Sequence, residues 1–442
     1  QLFPVIGQIR PSIVEPDRRN WAPRLGLAYN PGWARQWVIR AGSGIYFDQT
    51  QMNEVQFTTN SPPTFFQQNI NLTGRGLPPN QFGVNALPVV AVPKIDANYR
   101  IPPNTNVFAQ EINGRKPREY MWNLSVQRSL TEKWLAEAAY IGAQSRRLSK
   151  RYNSSAPVRQ GVLYNVVPGA NRFDPATTGI GGMLYSSQAG KGQFHGLNTR
   201  LERRFSEGMS VLTSYSWSHS IDTDSGGSFG SPNLNPANFE LDKGSSDFDI
   251  RQRFVTSILY ELPIGRGKRL MGGASKAANL AVGGWQVTST TVFQSGVNRS
   301  VTSPNTSTIA FISQRADYTG IPSNTDFTVG GQTITPGRDF GGANRSLYWF
   351  NPNSFRRVQP LTLGTSGRDI ISAPGFWNWD VSAFKSFQFT ESTTLQFRAE
   401  FFNAFNNVRF NPPNMDSSSP FFGQIQSAQP PRILQFSLRL QF

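Results

Sequence analysis

The sequence predicts an all-β protein, a transmembrane antiparallel β-barrel in which about eleven strands form the C-terminal half of a 22-stranded barrel. Three observations predict it. The chain ends in strict two-residue alternation, with Leu434, Phe436, Leu438, Leu440 and Phe442 on one face and Gln435, Ser437, Arg439 and Gln441 on the other. Successive strand side chains point to opposite faces, so one face suits lipid and the other a polar lumen. Similar runs recur through the 442 residues, and the connections between them alternate between short and long. Finally, 12% of residues are aromatic, yet no apolar run approaches the roughly 18 residues a spanning helix needs. Strands cross without such runs, because every second residue can be polar.

Taken in order, the first strand runs from Ala22 to Tyr29 and the second from Gln36 to Asp48, joined by the short connection Asn30 to Arg35. The third, Glu119 to Leu130, opens on Tyr120 and Trp122, aromatics of the kind that gather at a membrane interface. Thr131-Glu132 leads into the fourth, Lys133 to Gly142. The fifth, Phe194 to Phe205, starts beside His195 and alternates polar and apolar residues in Asn198-Thr199-Arg200-Leu201-Glu202. Ser206 to Gly208 turn into the sixth, Met209 to Ser220, where Tyr215 and Trp217 share a face with Val211 and suit a core or an aromatic girdle equally. The seventh, Ile250 to Leu262, reaches the eighth, Gly284 to Gln294, through Pro263 to Gly283, a moderate connection rich in Gly and Lys. Trp285 and Phe293 bracket the eighth, and Trp377, Trp379 and Phe389 mark the ends of the ninth, Asn378 to Phe389. Thr390 to Ser392 lead to the tenth, Thr393 to Phe405, and the last is Ile433 to Phe442. Ten residues at 3.3 Å rise and about 45° of tilt span roughly 24 Å, the height of an outer-membrane barrel's apolar band.

The long connections, 49–118, 143–193, 221–249, 295–377 and 406–432, read as external loops. Rich in Pro, Asn, Gly and Ser, they are expected to be irregular and mobile. A soluble sandwich, even one built from several carbohydrate-binding units, has no reason to keep the short–long rhythm. Eleven is odd, whereas single-chain bacterial barrels usually close with an even number, so half of a larger, plugged barrel is the expectation.

Composition narrows the partners. With no cysteine, disulfides, thiolate catalysis and zinc–thiolate sites are excluded. A net charge of +16 invites nucleic acid, but most of the basic residues lie singly along alternating strands rather than in one stripe. Lumen-facing arginines, and cations against anionic lipid or lipopolysaccharide phosphates, explain the charge, and no nucleic-acid partner is expected. The chain opens Gln1-Leu2-Phe3-Pro4 with neither initiator Met nor signal peptide, so further sequence is expected upstream.

Several phrases along the chain together resemble the Oar-like TonB-dependent transporter barrels of acidobacteria. They are Asn20-Trp21-Ala22-Pro23-Arg24-Leu25-Gly26-Leu27, Val38-Ile39-Arg40-Ala41-Gly42-Ser43-Gly44, Trp122-Asn123-Leu124-Ser125-Val126-Gln127-Arg128, Ser214-Tyr215-Ser216-Trp217-Ser218-His219-Ser220 and Phe397-Arg398-Ala399-Glu400-Phe401-Phe402-Asn403-Ala404-Phe405-Asn406. The resemblance implies import across the outer membrane, energised through TonB acting on a plug. Plug, TonB-contacting segment and carboxypeptidase-regulatory-like domain would precede Gln1. Separately, the terminal strand with Phe436, Leu438, Leu440 and Phe442 on one face resembles the carboxy-terminal signal that the outer-membrane barrel assembly machinery reads.

No catalytic chemistry is expected. His195 and His219 both fall within strands, and Ser218, His219 and Asp222 fail as a triad because strand neighbours face opposite sides. Asp222-Thr223-Asp224-Ser225-Gly226 begins like a calcium loop, but position five is Gly226 and position twelve is Asn233. A solvated loop is the better reading, with Asp242, Asp247 and Asp249 nearby the only means of completing an irregular site. Gly190-Lys191-Gly192 and Gly265-Arg266-Gly267-Lys268-Arg269 lack the Ser or Thr of a phosphate loop, and the latter reads as a basic turn. Neither cofactor nor metal is expected. The function expected is import of an unidentified ligand, caught by external loops and conducted along a lumen lined by Arg200, Glu202, Arg398, Glu400 and Arg439. The alternative is a barrel for adhesion or envelope organisation without transport.

Overall fold

A computed structural model describes residues 17–49, 105–111, 115–153, 158–159, 162–163, 180–226, 234–235, 238–304, 314–337, 347–360 and 362–442. Eleven strands hydrogen-bond in chain order, each to the next, in one continuous sheet. They are β1 (Arg24–Tyr29), β2 (Trp37–Phe47), β3 (Arg118–Ser129), β4 (Trp134–Asn153), β5 (Ile180–Ser206) and β6 (Met209–Asp222). The remainder are β7 (Gln252–Glu261), β8 (Trp285–Gln294), β9 (Phe376–Gln388), β10 (Thr394–Phe402) and β11 (Ile433–Gln441). Every neighbouring pair on this path is antiparallel. The path ends at β1 on one side and β11 on the other. No described helix is long and apolar enough to cross a membrane.

Antiparallel register carries each strand's alternation into the next, so the sheet has two unlike faces. Leu438 lies opposite Phe397, and Phe436 opposite Ala399, while Arg439 lies opposite Gln396 and Ser437 opposite Arg398. Followed along the ladder, the apolar face takes in Phe401, Val381, Ser289, Ile258, Val211, Arg203 and Trp134, and farther on Val126, Ile39 and Tyr29. Its large side chains are exposed, Leu438 at 69% and Leu25 at 79%, as expected of a surface whose solvent is hydrocarbon rather than a second protein layer.

Aromatics collect at both ends of this face. Toward the long loops, Phe293 stacks on Trp377 with centroids 5.9 Å apart, and Trp379 on Phe405 at 4.7 Å. Toward the short turns stand Trp37, with the Arg128 guanidinium 4.7 Å from its ring, and Trp285 edge-on to Phe397 at 6.1 Å. Tyr215 and Trp217 also lie on this face, paired with Phe254 and Gln252, rather than in an interior core.

The turn between β5 and β6 is two residues long, Glu207 and Gly208, both left-handed with φ of 53° and 75°. That type I′ geometry suits the strands' right-handed twist, and glycine bears the second position without a Cβ penalty. Arg203 secures it by donating to the carbonyls of Ser206 and Met209.

The structure departs from the sequence reading at the other end. Residues 143–153 and 180–193, expected within a loop, are strand, making β4 20 and β5 27 residues long. Their outer parts pair with each other through two register shifts near Arg146, Leu148 and Lys150. Thr105–Gln110 adds to β5 as the one parallel pair of the sheet among the described residues. Such bulges bend a strand and break its two-residue pattern, which is why the extension is invisible to alternation.

Candidate functional site: the polar sheet face and the loop cap

All five residues expected to line a lumen lie on the face opposite Phe436 and Leu438. Arg200 pairs with Glu202 at 2.7 Å and Arg398 with Glu400 at 3.8 Å. Each arginine meets an acid two residues on, the spacing that keeps both on one side of a strand. Arg439 stands across from Gln396, beside the Arg398–Glu400 pair, and the Arg398 guanidinium also covers the Phe384 ring at 5.7 Å. Serines, threonines and amides fill the neighbouring positions, with Ser214 opposite Arg200, Ser382 opposite Glu400 and Gln435 on the other flank of Glu400. The result is a polar wall carrying both signs of charge.

At the long-loop end, three connections fold into a cap with its own core. Val301, Ala316, Phe350, Phe355, Ile371 and Phe422 are buried together, with Trp349 and Met415 packed against them. Phe350 meets Phe422 edge-on at 5.2 Å and Phe355 at 5.8 Å. Short ribbons knit the shell, Asn298–Arg299 to Ile371–Ser372 and Asp317–Tyr318 to Phe355–Arg356, while the Thr302 N–H donates to the Met415 carbonyl at 2.9 Å. Gly364 is required here because a Cβ would lie 1.7 Å from the Arg315 carbonyl oxygen. Over these described stretches the long loops are folded, not irregular as their composition suggested. The expectation placed on 49–118 falls almost wholly outside the described residues.

Buried charges tie the cap to the strands. Asp242 accepts from Arg315 at 2.7 Å and from Lys150 at 3.4 Å, and Lys150 also donates to the Thr223 carbonyl at 2.5 Å. Arg315 further donates to the carbonyls of Ser366 and Leu241. Asp222 is bonded by Arg368 and by the hydroxyls of Ser225 and Ser246. The pairs join residues 73 to 146 positions apart, so no local pattern announces them. Sequence reasoning weighed Asp222 and Asp242 for a calcium loop and preferred a solvated one. Both are instead buried and claimed by cations, and no described group of three acids or histidines is placed to hold a metal ion.

Asp224 differs from its neighbours. Its Oδ1 accepts from the Gly226 N–H at 3.0 Å while the buried Oδ2 has no partner. Burial pushes its carboxyl up to about 6, against the opposing pull of Lys150, the Gly226 N–H and Arg368. The folded chain thus holds this proton more tightly than the unfolded chain. Asp224 contributes most to stability below pH 3.8, and that contribution is lost as pH rises through about 6. Asp224→Asn should therefore stabilise the cap at pH 7.5 by up to about 3 kcal/mol. It should also remove this component of the cap's pH dependence, read by hydrogen exchange between pH 4 and 7.5.

The histidines take structural roles. Tyr140 Oη lies 2.7 Å from His195 Nδ1, and His219 Nδ1 lies 3.1 Å from the buried Asp249, whose other oxygen accepts the Ser220 N–H. Ser218 donates to the Ile250 carbonyl, so Ser218, His219 and Asp222 are not assembled into a triad.

An antiparallel sheet with one apolar and one polar face, aromatic bands at both edges and long connections at a single end defines a membrane-spanning β-barrel wall. The model of the outer membrane beta barrel domain family matches residues 2–435, and the chain belongs to that family. Its location is the outer membrane. Among solved structures it is similar to the outer membrane transporter YddB from Escherichia coli, at 10% identity and a TM-score of 0.49, covering 95% of this chain and 40% of that one. It is also similar to the ferripyoverdine receptor of the outer membrane of Pseudomonas aeruginosa, at 11% identity and a TM-score of 0.42, covering 95% and 33%. A third is the FrpB iron transporter from Neisseria meningitidis, at 8% and 0.42, covering 94% and 38%. The chain thus spans two fifths or less of the length of these structures. A search of curated protein sequences finds no match.

Proposed function

We propose that this chain forms part of the barrel of a TonB-dependent transporter of the Oar-like type, importing a small ligand. In this reading the long loops are external, the cap takes part in capture, and the face of Arg200, Glu202, Arg398, Glu400 and Arg439 lines the conducting lumen. The observation that carries it is the paired charge of that face: partly exposed ion pairs set along two strands on one face of an outer-membrane sheet belong to a wet interior, not to lipid. The plug, the contact with TonB and the closing strands, taking the wall to 22, belong to the same proposal. So does the reading of Phe436, Leu438, Leu440 and Phe442 by the barrel assembly machinery.

Two measurements test it. Arg398→Cys and Arg439→Cys should react with water-soluble thiol reagents and resist lipid-soluble ones; the reverse pattern overturns the lumen assignment. Ligand uptake by cells carrying the gene should require the proton motive force and vanish on its deletion.

One observation favours a second reading, adhesion or envelope organisation without transport. The cap is folded about its own core and still presents Phe421, Tyr318 and Leu347 to solvent, a sticky exterior that transport does not need. Cell–surface attachment that persists without the proton motive force, with no uptake, would select it.

A further inference from the structure

The connection between β7 and β8 is the exception among the short turns, and its geometry is unlike theirs. It carries about two helical turns, α1 (Lys276–Val282), started by Ser275, whose side chain accepts from the Ala278 N–H, and stopped at Gly283. Lys385, 3% exposed, donates to the helix carbonyls of Leu280 and Asn279, and the Trp285 indole donates to the Ala281 carbonyl at 3.0 Å. Lys385 pairs with Trp285 on one side and with Phe397 on the other, and Phe397 pairs with Leu438. All four stand on the apolar face. The segment has therefore folded back onto the outside of the wall, where lipid lies, rather than across the lumen.

What it presents there is specific. Residues 262–284 contain no Asp or Glu, and Arg266, Lys268, Arg269 and Lys276 are all exposed. Among them stand Leu270, Met271 and Leu280, each more than half exposed. A buried lysine bonded to the end of a helix holds this surface in place, so the cations and apolar tips are displayed together rather than on a loose hairpin. Cations with aliphatic side chains, continuous with a lipid-facing sheet and level with its rim, match one environment: the headgroup zone of a bilayer carrying anionic phospholipid.

We propose that residues 262–284 form a membrane-interface foot that binds anionic phospholipid in the leaflet at the short-turn end. Arg266, Lys268, Arg269 and Lys276 meet the phosphates, and Leu270, Met271 and Leu280 enter the boundary between headgroups and acyl chains. This rests on the outward facing of Leu438 and Phe397, and is independent of whether the barrel transports anything.

The test is retention of lipid by the detergent-solubilised protein, read by native mass spectrometry with phosphatidylglycerol or phosphatidylcholine added. The expected result is preferential retention of phosphatidylglycerol, weakened about fivefold for each cation removed and several hundredfold in the fourfold variant R266Q/K268Q/R269Q/K276Q. Folding is checked by heat-modifiable migration; all four positions are exposed and unpaired with acids in this segment. A second variant, L270Q/M271Q/L280Q, keeps the charge and should weaken retention without abolishing the preference. Equal retention of both lipids by the parent protein overturns the proposal, as does undiminished phosphatidylglycerol retention by the fourfold variant. Displacement of the lipid by millimolar inorganic phosphate would reveal a free-anion site instead and overturn it equally.

Discussion

Asp242→Ala is expected to unfold the cap locally while leaving the sheet intact, at a cost of about 3–5 kcal/mol. The magnitude follows from what remains after the carboxylate is gone. Lys150 and Arg315, both buried, lose their shared counter-charge. Uncompensated charges of this kind cost far more than the net worth of the pair, because each was already stripped of water when the loops closed. Amide exchange in 238–250, 314–337 and 362–375 should accelerate by about two to four orders of magnitude, with strands β7 to β10 protected as before. Breaking the exposed pair between Lys191 of β5 and Glu240 of the same loop as Asp242 should change exchange by at most about 1 kcal/mol equivalent, since water screens it. Equal effects from the two substitutions would mean that the cap is not held by its buried charges.

The second large effect is a contrast between adjacent residues. Phe436→Arg should destabilise the folded protein in the membrane by about 2–4 kcal/mol, and Ser437→Arg should be nearly silent. Phe436, in the middle of the last strand, is 61% exposed, so little protein packing is lost at that position. In water the substitution would be mild, and a penalty of that size arises only if the face meets hydrocarbon near the middle of the bilayer. Ser437 lies across from Arg398 on the opposite face, where another arginine finds water and carboxylates. Urea unfolding from bilayers and the yield of folded protein in the outer membrane read both variants. Similar penalties at 436 and 437 would contradict the assignment of faces.

The strands were legible because alternation is a local property. Leu434 to Phe442, or Phe397 to Phe401, needs no knowledge of neighbours to reveal its two faces, and turn residues such as Glu207 and Gly208 mark where a strand reverses. The outer halves of β4 and β5 escaped because Arg146, Leu148 and Lys150 sit at register shifts, and pairing there is enforced by the partner strand. The cap escaped for a different reason. Its aromatic members, Phe350, Phe355 and Phe422, are scattered among Gly, Asn and Pro, and no period links them. Arg315 and Arg368 read as ordinary surface cations until folding brings them to Asp242 and Asp222. The lumen arginines could be named from sequence because a strand's own alternation determines their facing; a buried ion pair between distant loops has no such one-dimensional trace.

The sheet also has a direction at each border. β1 leads into a short turn and β11 leaves a long loop, so both run from the long-loop end toward the short-turn end. Like arrows side by side cannot exchange the paired hydrogen bonds of an antiparallel ladder. Rolling these eleven strands onto themselves would set parallel neighbours at the seam, and so would two copies arranged about the pore axis. Inverting one copy would cure the seam only by sending its long loops to the wrong side of an asymmetric membrane. Parity therefore works as a lock: an antiparallel seam at both borders admits only an odd number of further strands.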